Sequence, residues 1–207
     1  MVQSITQSQL LTYEDFLGQF GDDDRYELID GELVDLEPTG KHEQVAAFIL
    51  RKLNAEIDRL DLSFFTPTRC LLKHPTPGIA FRPDVIVLDQ DNLDQEPLWR
   101  KEPTITLGSS IKLVVEVTSS NWQNDYARKA EDYAEMGIKE FWIVDYLGFG
   151  GKSYIGYPKQ PTFSIYELDD RRPIYRSPNL YRDSDVIQFP AFPNLQLTAG
   201  QVFRSGR

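Results

Sequence analysis

The chain has 207 residues, 41% of them hydrophobic and 26% charged, an ordinary globular composition that predicts a single domain over 1–207 with a sizeable core. A net charge of −10 and a pI near 4.7 argue against a protein that coats nucleic acid by charge alone, because nonspecific duplex binding is driven by neutralising phosphates. No apolar run approaches the roughly 18 residues of a membrane span, the opening MVQSITQSQ lacks the basic-then-apolar build of a secretory leader, and Cys70 is the one cysteine, so no membrane partner, no intrachain disulfide and a cytoplasmic location are expected.

Taken in order, residues 12–19 predict a short helix capped by Thr12, with Asp15 three residues on in place of the usual capping-box Glu. RYELIDGELVDLEP alternates about an Asp30-Gly31 turn, which predicts a hairpin with Glu27 on its first strand, facing either a site or water. Over residues 41–60 the positions Val45, Phe48, Ile49, Leu53, Ile57 and Leu60 recur at three- and four-residue spacing. They predict an amphipathic helix lying on a sheet, with His42 in its first turn. LSFFTPTRCLLKH reads as one strand interrupted at Pro67, bent there or near a sheet edge rather than central, AFRPDVIVL as its partner across the turn at 75–78, and DQDNLDQEPLWRKEPT as a polar loop.

The middle of the chain organises the rest. RPDVIVLD places Asp84 at the start of a Val/Ile-rich strand, and IKLVVEVTSS sets Glu116 in a run apolar enough to be buried on both faces. An unpartnered ionised carboxylate there costs several kcal/mol, so Glu116 needs a cation or a proton. The following SSNWQNDYARKAEDYAEMG predicts a helix capped by Asn124 or Asp125 and stopped by Gly137. Asp125, Lys129 and Tyr133, spaced i, i+4, i+8, lie on one face, and Ala127, Ala130 and Ala134 form a small-residue stripe suited to close packing on the sheet. That geometry would bring Lys129 toward the two carboxylates.

EFWIVDY predicts a third buried strand, completing a right-handed parallel strand-helix-strand unit over 111–146. FGGKSYIGYPKQP reads as a Gly/Pro-rich loop, FSIYEL and IYRSPNLYRDSDVIQF as an antiparallel section, and LTAGQVF as a closing turn of helix. The aromatic-rich late section (Phe149, Tyr154, Tyr157, Phe163, Tyr166, Tyr175, Tyr181) leads to an expectation of self-association as a homodimer or higher homo-oligomer.

YELIDGELV, RPDVIVL, VVEVTS, DYARKAEDY and KEFWIVD, in this order over 26–145, together resemble the PD-(D/E)xK restriction-endonuclease-like superfamily, and within it a family of small endonucleases known only as a domain of unknown function. The resemblance implies an α/β (α+β) fold, a mixed central sheet flanked by helices with additional antiparallel strands. It implies a metal-dependent endonuclease that hydrolyses phosphodiester bonds of nucleic acid, DNA first, with Mg2+ or Mn2+ held by Asp84, Glu116 and the Val117 carbonyl. The superfamily's lysine would stand two residues past Glu116, where this chain has Thr118, and the resemblance implies that Lys129 supplies the charge from the helix instead. Glu27 fits the family's early Glu as an outer ligand, and His42, Ser119 and Tyr133 are expected around the ligands at most.

Such carboxylates would hold a hard cation through oxygen, and a lysine would orient water or offset charge on the phosphate. The plainer readings are a strand-start turn for Asp84, a metal-free buried pair for Glu116 and Lys129, and an ordinary first-turn polar residue for His42. At the level of the whole protein, a non-catalytic binding or assembly module on the same fold competes, as does hydrolysis of some other phosphoester. A basic strip of Arg69, Lys73, His74 and Arg82 is the candidate nucleic-acid face on this acidic chain.

Overall fold

The computed structural model describes residues 10–36 and 38–207; the opening segment read above as no secretory leader lies outside the described residues. Helix α1 (Tyr13–Phe20) begins with the expected reciprocal cap: the Thr12 hydroxyl accepts from the Asp15 N–H, and the Asp15 carboxylate accepts from the Thr12 N–H. Strands β1 (Tyr26–Ile29) and β2 (Glu32–Asp35) turn through Asp30 at φ 53° and Gly31 at φ 80°. Two consecutive left-handed residues are what a two-residue type I′ hairpin requires. Helix α2 (Gly40–Leu60) is capped by Thr39, whose hydroxyl accepts from the His42 N–H.

Two sheets form. Strands β4 (Leu71–Lys73), β5 (Ala80–Phe81) and β7 (Thr104–Ile105) join the hairpin in the order β2-β1-β5-β4-β7. Strands β3 (Phe64–Phe65), β6 (Val85–Asp89), β8 (Ile111–Val117), β9 (Glu140–Asp145), β10 (Thr162–Glu167) and β11 (Asn179–Tyr181) form the second sheet, ordered β11-β10-β9-β8-β6-β3. Strands β8 and β9 are parallel, as the strand-helix-strand reading requires, and β10 returns antiparallel.

The larger sheet separates two cores. Leu113, Val115 and Val117 of β8 face Val45, Ile49 and Leu53 of α2 and the C-terminal helix α5 (Ala199–Arg204), while Val114 faces Leu72, Phe81 and Tyr133 on the other side. This two-sided burial is the reason β8 reads as an unbroken apolar run. A third cluster of Tyr13, Phe16, Leu28, Leu71 and Ala80 seats α1 on the smaller sheet.

Several expectations are corrected. Residues 62–74 are not one bent strand: Pro67 falls between β3 and β4, which belong to different sheets. AFRPDVIVL likewise divides at Arg82-Pro83-Asp84 into β5 and β6, so Leu72 pairs with Phe81 in one sheet and Phe65 with Leu88 in the other. Pro83 lacks the N–H a ladder needs and biases the residue before it, which makes this the natural breaking point. The polar loop contains a 3-10 turn (Gln90–Gln95) and then β7, and the Gly/Pro-rich loop contains a short helix α4 (Lys152–Ile155).

The central helix also opens differently. Trp122 and Gln123 are already helical, so neither Asn124 nor Asp125 is its cap; a π-helical turn (Asn124–Lys129) leads into α3 (Ala130–Glu135). Gly137 at φ 81° stops it as expected. Of the alanine stripe only Ala134 is fully buried, and Ala127 is exposed. Among the late aromatics, Phe163 and Tyr166 belong to the chain's own core, whereas Tyr157 is 80% exposed. No helix among the described residues is long and apolar enough to cross a membrane.

Candidate active site

The break that separates β5 from β6 also builds the site. Strand β6 pairs antiparallel with β8 at Val85↔Val115, and one further step of that register sets Asp84 across from Glu116. Directly opposed residues of antiparallel neighbours present their side chains to the same face. The Val117 N–H donates to Asp84 Oδ2 at 2.6 Å, fixing this carboxylate at the end of β8. Asp84, Glu116, Val117, Glu27, His42, Ser119, Asp125 and Lys129 all line one cavity of about 470 Å³.

Lys129 enters from the π-helical turn and is 4% exposed. Its Nζ lies 3.0 Å from Glu116 Oε2, 3.0 Å from Glu27 Oε1 and 4.0 Å from Asp125 Oδ1. The Tyr133 hydroxyl, one turn further along, donates to Glu116 Oε1 at 2.6 Å, so both Glu116 oxygens are engaged. Glu27 is 1% exposed and faces the site rather than water; its Oε1 also accepts from the Arg82 N–H at 2.7 Å. Arg82 in turn is anchored by its guanidinium to the carbonyls of Gly21 and Tyr26 and to Asp24.

His42, at the start of α2, reaches across the sheet end: Nε2 is 2.7 Å from the Val117 carbonyl oxygen and 3.3 Å from Asp84 Oδ2. The carbonyl expected as a metal ligand therefore has an imidazole against it. Burial alone would lower the His42 imidazole, but the Asp84 hydrogen bond and charge outweigh it and bring the pKa up to about 9.

Charge does not balance in this cavity. Burial opposes the Lys129 ammonium, yet the surrounding Glu116, Glu27, Asp125 and Asp84 carboxylates outweigh it and hold the lysine charged. The acids are left competing for one ammonium. Burial first, and then one another's charge, push Glu116 well above the usual carboxylate range, raise Glu27, and raise Asp125 to about 7. Even with Lys129 and His42 both cationic, the four carboxylates leave two negative charges over, which either protons or one divalent cation would neutralise. The donor set of hard oxygens fits Mg2+ or Mn2+.

Sequence reasoning thus names Asp84, Glu116, Lys129, Glu27, His42, Val117, Ser119 and Tyr133, and the fold brings them together. It misses two contributors. Asp125, read as a possible cap and placed on the Lys129 face by its i, i+4 spacing but given no site role, is a cavity wall. Arg82, read as part of a basic strip, is a buried anchor for Glu27. The strip itself disperses: Arg69 lines the cavity but is paired with Asp24, Lys73 is paired with Glu14, and His74 lies by Glu135. Thr118, in the superfamily's lysine position, is buried with an unpartnered hydroxyl.

Among the described residues, His74, Asp132 and Glu135 are a group whose ligand atoms lie within 4.8 Å of one another. The Thr76 N–H donates to His74 Nδ1, so the neutral ring carries its proton on Nε2 and has no lone pair there for an ion. This cluster, on the neighbouring face of α3, reads as an ion-pair network.

Residues 9–200 match the family model described as "Uma2: Putative restriction endonuclease". No curated protein matches the chain. Among solved structures, the fold is similar to that of "a putative nuclease belonging to DUF820" from Anabaena variabilis, with a TM-score of 0.67 and 16% identity over 95% of this chain and 99% of that one. The fold is therefore restriction-endonuclease-like, as the sequence motifs imply.

Proposed function

The chain belongs to the Uma2 family, and from that premise we propose that it hydrolyses phosphodiester bonds of nucleic acid, DNA before RNA, with the help of Mg2+ or Mn2+. One observation carries the proposal: a single cavity joins Asp84, Glu116 and Lys129, with the carboxyl groups of Glu27 and Asp125 set around the same ammonium. Asp84 and Glu116 would hold the cation, which supplies Lewis-acid stabilisation of charge on the phosphate. Lys129, held charged, donates hydrogen bonds to the oxygens on which charge builds, and the buried setting strengthens each of these interactions. Tyr133 and Glu27 keep Glu116 and Lys129 in place. Self-association belongs to the same reading, carried by the short edge strand β11 and the exposed Tyr157, Leu180 and Val186; light scattering at one monomer mass across concentrations would remove it.

The test is incubation of the purified protein with supercoiled plasmid, linear DNA and RNA, in Mg2+, Mn2+ or EDTA, beside Asp84→Ala. EDTA-sensitive cleavage lost in Asp84→Ala is the expected result. A protein that binds nucleic acid without cutting it would instead establish the non-catalytic module.

A further inference from the structure

Hydrolysis requires a group that takes a proton from water, and the other carboxylates around Lys129 each accept at least one hydrogen bond. Lys129 is a charged ammonium and has no lone pair to offer. Both oxygens of Glu116 accept hydrogen bonds, Glu27 accepts from the Arg82 N–H beside its Lys129 contact, and Asp84 Oδ2 accepts from the Val117 N–H. His42 directs Nε2 at the Val117 carbonyl.

Asp125 differs from all of these. It is 8% exposed and lines the cavity, yet among the described residues its carboxylate accepts no hydrogen bond; its one ion-pair contact is Lys129 Nζ, at 4.0 Å. It is carried by a π-helical turn, a rare wide turn that recurs at functional sites. We propose that Asp125 is the catalytic base of this site, accepting the proton of the water that attacks phosphorus; the inference rests on the nuclease reading above.

In the step, a water O–H bond breaks and its proton passes to an Asp125 carboxylate oxygen as the water oxygen bonds to phosphorus. The P–O bond to the leaving sugar oxygen breaks with its electron pair, and that oxygen takes a proton from solvent. Asp125 then releases its proton to the water of the cavity that it lines. The groups facing it are Lys129 on its own helix, Glu116 on β8, Glu27 on β1, Asp84 ahead of β6 and His42 on α2.

The experiment is single-turnover cleavage in Mg2+ from acid to mildly alkaline pH for the parent, Asp125→Asn and Asp125→Glu, with calorimetry of Mn2+ binding and circular dichroism on each. Asp125→Asn should lower the rate at neutral pH about 10²–10⁴-fold and flatten its rise with pH, with Mn2+ still bound and the fold unchanged. Asp125→Glu should restore part of the rate and keep the rise. Parental cleavage and pH profile in Asp125→Asn would overturn the proposal alone, as would loss of Mn2+ binding, which would make Asp125 a ligand. A parent that cuts nothing in Mg2+ overturns the nuclease reading and this inference with it.

Discussion

The central helix carries two clusters of titratable groups on adjoining faces, which differ in how each acid is satisfied. On the inner face, Lys129 is shared among Glu116, Glu27 and Asp125, all nearly excluded from water. On the outer face, Arg128 makes a two-pronged contact with Asp30 at 2.6 and 2.8 Å and donates through Nε to Asp132 at 2.6 Å, while His74 Nε2 stands 3.6 Å from Glu135. Every outer acid has a donor or solvent. The inner acids outnumber their cations in a place where charge is expensive, and folding has not relieved it. Acids that each have a donor or solvent read as scaffolding; buried acids that share one ammonium read as a place kept for something else.

The comparison breaks most decisively in activity. Lys129→Ala should cost about 10²–10³ in cleavage rate, the range for one preorganised electrostatic donor, while leaving divalent-metal affinity in place. Asp84→Ala should lose metal binding and cleavage together. Lys129→Arg should recover little, because a planar fork does not replace a compact ammonium. If Lys129→Ala cuts as fast as the parent while Asp84→Ala does not cut, the metal site stands and the lysine is only part of the packing.

Stability gives the next largest effect. Adding Mg2+ or Mn2+ at about 100 times its dissociation constant should stabilise the protein by about 2.7 kcal/mol, read as a rise in melting temperature of roughly 5–11 °C for a chain of this size. Glu116→Gln should abolish most of that gain. It should also change the metal-free pH profile, and the sign follows from burial. A carboxyl whose folded pKa is raised binds more protons folded than unfolded, so stability falls as pH rises above the ordinary carboxylate value toward the raised one. The metal-free parent should therefore lose stability toward alkaline pH more steeply than Glu116→Gln. Parallel melting profiles for the two proteins would show that Glu116 carries no surplus charge.

Both faces were partly legible in the sequence, for a physical reason that also marks where legibility stops. Signals confined to a few consecutive residues survived folding: the Thr12 and Asp15 cap, the Asp30-Gly31 turn, the β8 run and the Gly137 stop. Asp84, Glu116 and Lys129 each stand in such a local pattern, and all three line one cavity. What local pattern does not encode is which distant segment a strand joins. Residues 62–74 read as one strand because Phe64 and Leu71 are equally apolar, although their partners, β6 and β5/β7, belong to different sheets. Glu27 could face site or water on parity alone; only the sheet that places β1 beside β5, with Arg82 anchored behind it, settles the choice. Asp125 reads as a possible cap, but the helix is already under way at Trp122 and Gln123.

The smallest expected effect tests the outer face, where Arg128→Ala removes the Asp30 clamp and the Asp132 contact together. Asp30 is 62% exposed, so its share is screened by solvent and salt, and exposed pairs contribute only about 0.2–1 kcal/mol. Asp132 is buried, and losing its donor adds a desolvated acid to the cost. Together these predict a loss of about 1–2 kcal/mol, shrinking toward the Asp132 share as salt rises. Because the clamp ties the β1–β2 turn to the residue next to Lys129, it also holds the strand carrying Glu27 against the helix. Metal affinity should nevertheless be unchanged, since the proposed ligands Asp84, ahead of β6, and Glu116, on β8, take their contacts from Val117, His42, Lys129 and Tyr133. A drop in Mn2+ affinity for Arg128→Ala as large as that of Asp84→Ala, measured by calorimetry, would mean that the two faces of the helix are one coupled network and that the difference in how their acids are satisfied does not separate scaffold from site.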